Sequence, residues 1–380
     1  MHRDVILKLY RFFETLLTRR VKIVCDRIPF EFHGVPLKKL LNRYLVHASF
    51  HFKPDRPWGW PTHLQIEPDA RCNLHCLTCP VTTGLGRPQG RMTFSLFKKL
   101  IDEVADYVFL ILMWDWGEPF LNPDIYKMIA YAKTKGIQLI SSSNGQLLAH
   151  RTHVDNLIRS ELDWLIIALD GVTQETYERY RQGGELRNVL KGIQKLIERK
   201  RVLNAKTPRI NLRFVVMKQN EHEIPELRKL AENLCVDALT LKTMNPYDSG
   251  ITLLPENPHY RRFQYTSGGA VRVRRSHNPC LHLWHAPAIH WNGAVCMCTY
   301  DSKEEHVFGN LQEAPFKRIW TNNAYRAARK QFRSAWQQNP LCNQCSYAYV
   351  GGSCIDEIIA DALFFSPNAK GAPHPSNREP

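Results

Sequence analysis

From about residue 62 to 243 the chain alternates short apolar runs with longer stretches in which apolar residues recur every three or four positions. The short runs, near 62–68, 108–114, 137–142, 163–169, 210–217 and 237–242, read as buried strands. The periodic stretches, near 94–106, 123–135, 150–160, 187–202 and 222–233, read as helices with one apolar face. Each such helix can carry the chain back to begin the next strand in the same direction, so the alternation predicts an α/β fold built on a parallel sheet.

The flanks read differently. Residues 4–20, DVILKLYRFFETLLTRR, place Val5, Ile6, Leu9, Phe12, Phe13, Leu16 and Leu17 on one face of an amphipathic helix. Charges interrupt its apolar run well short of the ~18 residues a membrane span needs, and it is no convincing signal peptide. It either packs on the protein's own core or, through Lys8, Arg11, Arg19, Arg20 and Lys22, lies on an anionic membrane. Residues 53–61, KPDRPWGWP, read as a linker. Beyond about 250, proline, arginine, aromatic residues and cysteine become frequent, marking a second domain, and residues 366–380 read as a polar, disordered tail. The expected division is therefore a helical arm with linker over 1–61, an α/β domain over 62–250, a cysteine-rich domain over 251–365, and the tail.

Composition adds two constraints. The 380 residues are 44% hydrophobic, ample for a core, and carry a net charge of +15. That charge suits a phosphorylated substrate, an acidic peptide, nucleic acid or a membrane surface, or is simply a solvated basic face. The eleven cysteines gather in CxxxCxxC, CxC and CxxC groups with no secretory signal before them, which favours metal over disulfides.

The first group, Cys72, Cys76 and Cys79 in ARCNLHCLTCP, directly follows the strand-like run HLQIEP. Three thiolates at this spacing can hold three corners of a 4Fe-4S cube and leave one iron open. Structural zinc would need a fourth ligand, for which His75 is the neighbour. The motif resembles that of the radical S-adenosylmethionine (SAM) enzymes, whose open iron binds the amino and carboxylate groups of SAM. That resemblance implies a partial (β/α)6 TIM-like barrel with its chemistry at the carboxyl ends of the strands. Gly117, Glu118 and Pro119 in MWDWGEPFLNP resemble the family's GE motif, with the glycine admitting a close ligand and Glu118 accepting a hydrogen bond from the SAM ammonium. Ser142, Ser143 and Asn144 in ISSSNG would meet ribose or methionine, unless they only form a strand-to-helix turn. IIALDG resembles the family's SLDG, with Ala168 in place of the serine. Asp170 there would bind substrate, accept a proton or cap the next helix. Arg181 in YERYRQGG would pair with the SAM carboxylate or an anionic substrate, or lie on the surface.

The second group comprises Cys280, Cys296, Cys298, Cys342, Cys345 and Cys354. The run from WNGAVCMCTYD through VFGNLQEAPFKRIW to CNQC resembles the SPASM domain, the auxiliary-cluster extension of many radical SAM enzymes. It implies one auxiliary 4Fe-4S cluster on Cys280, Cys298, Cys342 and Cys345, with closed tetrahedral zinc as the rival. Cys296 and Cys354 are ligands or bystanders, and Cys25 and Cys235 inert thiols.

By resemblance, a reduced first cluster gives one electron to SAM, releasing a 5′-deoxyadenosyl radical that removes a substrate hydrogen. An external donor such as flavodoxin or ferredoxin supplies the electron, and the auxiliary cluster can accept a second one, which favours oxidative modification. Epimerisation would instead need a hydrogen donor such as Cys296 or Cys354. The stretch before the barrel is short for a leader-peptide-binding domain of ~80 residues, which leans the substrate towards an anionic small molecule or lipid precursor. A peptide maturase is the alternative within the family, and a zinc or iron protein that binds nucleic acid without catalysis is the alternative outside it. The enzymatic reading expects no nucleic acid and a cytoplasmic protein, with peripheral contact at the inner face of the membrane if the arm binds lipid.

Overall fold

The computed structural model describes residues 13–245, 251–266, 269–271, 273–350 and 359–365. An antiparallel hairpin, β1 (Val21–Cys25) and β2 (Ile28–Phe32), precedes helix α1 (Leu37–Phe52). Six strands follow: β3 (His63–Ile66), β4 (Leu110–Leu112), β5 (Gln138–Ser143), β6 (Trp164–Ala168), β7 (Arg209–Val216) and β8 (Ala238–Thr243). Neighbours pair in parallel from β3 through β8, as the alternating pattern requires.

The strands are apolar on both faces because helices cover the outside while side chains fill the inside. Helix α2 (Phe94–Val104) shows how the covering works. Thr93 accepts the Leu96 N–H at its start, and Phe97, Leu100, Ile101 and Val104 form the buried stripe. Helices α3 (Ile125–Thr134), α4 (Arg151–Arg159), α5 (Gln174–Tyr180), α6 (Leu186–Val202) and α7 (Ile224–Asn233) complete the units. The result is a partial barrel with a mostly parallel sheet.

The carboxyl-terminal segment joins the same sheet. After a small hairpin, β9 (Gln264–Thr266) and β10 (Gly269–Val271), strand β11 (Ala288–Ile289) pairs in parallel with β3. Strands β12 (Ala294–Cys296) and β13 (Val307–Asn310) extend that edge antiparallel, and β14 (Ile359–Phe364) covers β8 at the other, giving ten strands.

Residues 53–61 are tied down rather than free. The indoles of Trp284 and Trp320 donate to the carbonyls of Pro54 at 3.0 Å and Gly59 at 3.2 Å. The Arg329 guanidinium lies over the rings of both Trp320, at 4.4 Å, and Tyr325, at 4.2 Å.

The arm is also more than a helix and a linker. Residues 13–18 are helical, and 1–12 of the expected amphipathic helix lie outside the described residues, as do Cys354 and the tail. Val21, Ile28, Phe30 and Phe32 of the hairpin pack with Phe109, Ile140, Trp164 and Ala238, closing the amino-terminal end of the sheet. Two of the basic residues considered for a membrane serve the chain itself. Arg19 donates to the carbonyls of Leu16 and Val35, and Lys22 pairs with Glu31 at 2.9 Å. No helix among the described residues is long and apolar enough to cross a membrane.

At the hairpin turn, the buried Asp26 carboxylate pairs with the buried Arg213 guanidinium of β7. Removing one member leaves a buried charge uncompensated. Asp26→Ala and Arg213→Met should each cost about 3–5 kcal/mol in chemical denaturation, whereas the double variant Asp26→Leu/Arg213→Met should recover most of that loss. A loss in the double variant equal to the sum of the two single losses would show that the pair is not coupled.

Candidate active site and auxiliary cysteine pocket

The first cysteine loop begins where β3 ends, and it lacks regular structure until Pro80. Its backbone is therefore held by other loops. Ala70 donates to Gly90 at 2.9 Å, His75 to Gln182 at 3.0 Å and Leu77 to Tyr180 at 3.2 Å. Asp69 accepts the backbone N–H and the guanidinium of Arg71, the latter down to 2.5 Å.

Gly117 makes the tightest of these approaches. It has φ +94°, and a Cβ there would collide with the carbonyl of Asp69 and the backbone of Ala70 and Arg71. The next N–H, of Glu118, donates to Arg71 at 2.8 Å. The GE turn thus lies against the backbone of the cysteine loop.

Glu118 is 2% exposed and serves three donors: Phe120 N–H at 3.2 Å, Ser143 hydroxyl at 3.0 Å and Asn144 N–H at 2.8 Å. Burial raises its carboxyl to about 7 despite those donors. Ser143 therefore directs its hydroxyl at Glu118, and Pro119 is buried in the turn that Glu118 caps. Asn144 reaches the cysteine loop, its Nδ2 lying 2.8 Å from Asn73 Oδ1 and 3.8 Å from Cys72 Sγ.

On the opposite wall, Asp170 is fully buried and accepts Arg181 Nε at 2.7 Å and the Val215 N–H at 2.8 Å. Arg181 extends Nη1 to 4.0 Å from Cys76 Sγ. The expected residues Cys72, Cys76, Cys79, Gly117, Glu118, Pro119, Ser143, Asn144, Asp170 and Arg181 thus stand around one mouth at the carboxyl ends of β3 to β6.

Three thiols in reach of amide and guanidinium donors fit an anionic iron-sulfur cluster. Burial pushes the Cys72 thiol up to about 12 and those of Cys76 and Cys79 upward, so bound cations are what would make them thiolates.

The second group gathers as well. Cys280, Cys298, Cys342 and Cys345 line one pocket with Leu283 and Met297. Burial and mutual repulsion push the Cys280 and Cys298 thiols well up. The backbone N–H groups of His282 and Tyr300 oppose that shift at Cys280 and Cys298 respectively. Among the described residues, no three His, Cys, Asp or Glu side chains converge closely enough to hold a single metal ion; multi-iron clusters take ligands that stand apart. Cys296 lies elsewhere, buried with its sulfur 3.5 Å from His290 Nδ1.

A buried network between the two cysteine groups was not legible as a motif. Glu67 pairs with Arg87 at 2.5 Å, Arg87 approaches Glu304 at 3.6 Å, and His290 lies between Glu304 at 2.9 Å and Asp115 at 3.6 Å. The signal available was a charged or titratable residue directly after a strand, as Glu67 follows β3 and His290 follows β11.

Because the GE turn has no space for a side chain at Gly117, Gly117→Ala should displace the loop that carries Cys72. Anaerobically reconstituted protein should then lose about half its iron while keeping the share held by the second cysteine pocket. Full iron content in the variant would refute that coupling.

Two family models match the chain: the radical SAM superfamily over residues 66–231, and SPASM, an iron-sulfur cluster-binding domain, over residues 280–346. The tungsten-containing aldehyde ferredoxin oxidoreductase cofactor-modifying protein of Pyrococcus furiosus is 27% identical over 323 residues, covering 75% of this chain and 87% of its own. The AdoMet-dependent heme synthase of Methanosarcina barkeri is 25% identical over 331 residues, 77% of this chain and 91% of its own. Among solved structures, Streptococcus suis SuiB bound to S-adenosylmethionine is similar in fold, with a TM-score of 0.58 over 83% of this chain and 78% of that one at 16% identity. With these matches falling on the barrel, the cysteine loop and the second cysteine pocket, the chain belongs to the radical SAM superfamily, as an enzyme with a carboxyl-terminal SPASM domain.

Proposed function

We propose that this enzyme uses SAM to oxidise an anionic small molecule or lipid precursor, with Cys72, Cys76 and Cys79 holding the SAM-binding 4Fe-4S cluster. One auxiliary 4Fe-4S cluster sits on Cys280, Cys298, Cys342 and Cys345. When bound, the first cluster supplies an electron to SAM, giving methionine and the 5′-deoxyadenosyl radical that takes a substrate hydrogen. The observation that carries this reading is the convergence of the cysteine loop, the Gly117–Glu118 turn, Asn144 and Arg181 on one mouth.

The chain's own residues bind and orient. Arg181, buried beside Cys76, presents positive charge to a carboxylate at that end of the site. Asp170 holds Arg181 in place; with its oxygens occupied by Arg181 and Val215, it is a positioning residue rather than the proton acceptor. Glu118 ties the turns after β4 and β5 together and presents a carboxylate towards an ammonium group. An external reductant such as flavodoxin or ferredoxin would supply the first electron, and Cys280, Cys298, Cys342 and Cys345 would hold the cluster able to accept the second.

The substrate class rests on the basic chain and on the small-molecule chemistry in the names of the two relatives. A peptide substrate remains the second reading. Contact of the basic arm with an anionic membrane belongs to the lipid version of the proposal.

Reconstituted protein with both sites filled should hold about eight irons per chain and form 5′-deoxyadenosine from SAM only with a reductant. Cys76→Ala should form none while keeping its auxiliary iron. Continued 5′-deoxyadenosine formation by Cys76→Ala would end the assignment of the first site. Cells lacking the protein should accumulate an anionic metabolite that the purified enzyme consumes as it forms 5′-deoxyadenosine; turnover supported by peptides alone would move the substrate to the second reading.

A further inference from the structure

Two buried nitrogens lining the auxiliary pocket have no hydrogen-bond partner in the protein. Asn278 is 1% exposed, and its Oδ1 accepts the Cys280 N–H at 2.9 Å. A backbone N–H can only donate, so this bond fixes which end of the amide is oxygen. Nδ2 is the other end, and it has no acceptor. Its neighbours in the pocket are the four cysteines, His282 and apolar side chains.

His282 is 3% exposed, with Nδ1 2.9 Å from the Ala286 carbonyl and Nε2 without a partner. The carbonyl can only accept, so Nδ1 carries the proton and the neutral ring has no N–H to give at Nε2. Asn278 is therefore the side-chain N–H donor of this pocket. A buried donor left without an acceptor is costly, and sulfur is what the pocket offers to accept it.

Asn278 is also braced from a distant part of the chain. Lys53 Nζ, at the end of α1, donates to the Asn278 carbonyl at 3.0 Å while lying over the rings of Phe332 and Trp284.

We infer that Asn278 donates an N–H···S hydrogen bond to the auxiliary cluster and, as a positioning residue, raises its electron affinity. The inference rests on the reading that Cys280, Cys298, Cys342 and Cys345 hold that cluster. Reduction adds negative charge to the sulfurs, so a donor aimed at them favours the reduced state. That is the direction needed at a site that accepts an electron from substrate.

The test uses the full chain with Cys72→Ala, Cys76→Ala and Cys79→Ala, which leaves the auxiliary site alone. Reduced samples in H2O and D2O, followed by electron-nuclear resonance, should show, besides any from backbone N–H groups, an exchangeable proton coupling from the Asn278 amide. It should disappear in Asn278→Asp, which keeps the acceptor for Cys280, and in Asn278→Ala, and it should persist in His282→Phe. Asn278→Ala should also lower the reduced-to-oxidised ratio at fixed potential about tenfold, equivalent to ~59 mV for one electron. A chain that assembles no cluster in this background overturns both the inference and the reading beneath it. A cluster whose coupling and potential are unchanged in both Asn278 variants overturns the inference alone.

Discussion

Everything at the mouth of this barrel depends on where β3 ends. Its backbone pairs with β4 on one side and β11 on the other, with Ala288 opposite Gln65 and Ile289 opposite Ile66. The Gln65 and Glu67 N–H groups donate to Pro287 and Ile289 at 3.1 and 2.9 Å. The same strand then launches the loop bearing Cys72. A ladder of main-chain hydrogen bonds therefore sets the first cysteine group against the domain that holds the second, and it also covers an edge that would otherwise expose unpaired backbone.

Charge then fixes that register. Glu67 is fully buried, and Arg87 and Glu304 complete its environment with His290 and Asp115. Burial opposes the charged form, but the Asp115 and Glu304 carboxylates and the Cys296 sulfur that face the ring push the His290 imidazole up to about 12. Buried ion networks are a weak source of net stability, because desolvation offsets most of the attraction. What they do supply here is selectivity among dockings: a slip of β11 along β3 would strand charges away from water and from one another. The two sulfur sites thus keep a fixed relation while the loops between them remain irregular.

Strands β3 to β8 and their helices were legible because each shows the period of its structure over several residues. Both cysteine groups were legible because metal spacing is local. The β1–β2 hairpin was not, since its turn is Asp26-Arg27, both at positive φ, without the Asn-Gly signature of such turns. Residues 53–61 have the composition of a linker, and nothing local reveals that Trp284 and Trp320 bond to them. The same holds for Asp170 and Arg181. Each is visible as a charged residue near a strand end, but only the return of the chain after α5 turns one onto the other. Glu118 was legible as a residue beside a ligand; its service to Ser143 and Asn144 depends on the adjacency of β4 and β5.

The carboxylates around the mouth share a further property. Asp69 is held by Arg71, Glu67 by Arg87, Asp170 by Arg181 and Val215, and Glu118 by three donors. Asp115 accepts the Thr299 hydroxyl and faces His290. An enzyme relying on its own acids and bases keeps such a group free to trade protons with substrate. Here they are spent on holding loops against one another. That allocation suits chemistry carried by a cofactor, where the protein's contribution to rate comes from fixing the distance and direction between the reacting centre and the substrate. Irregular loops can meet that demand only when their backbone and charged groups are satisfied from several sides, as Gly117, Glu118, Asp170 and Arg181 satisfy them around the cysteine loop.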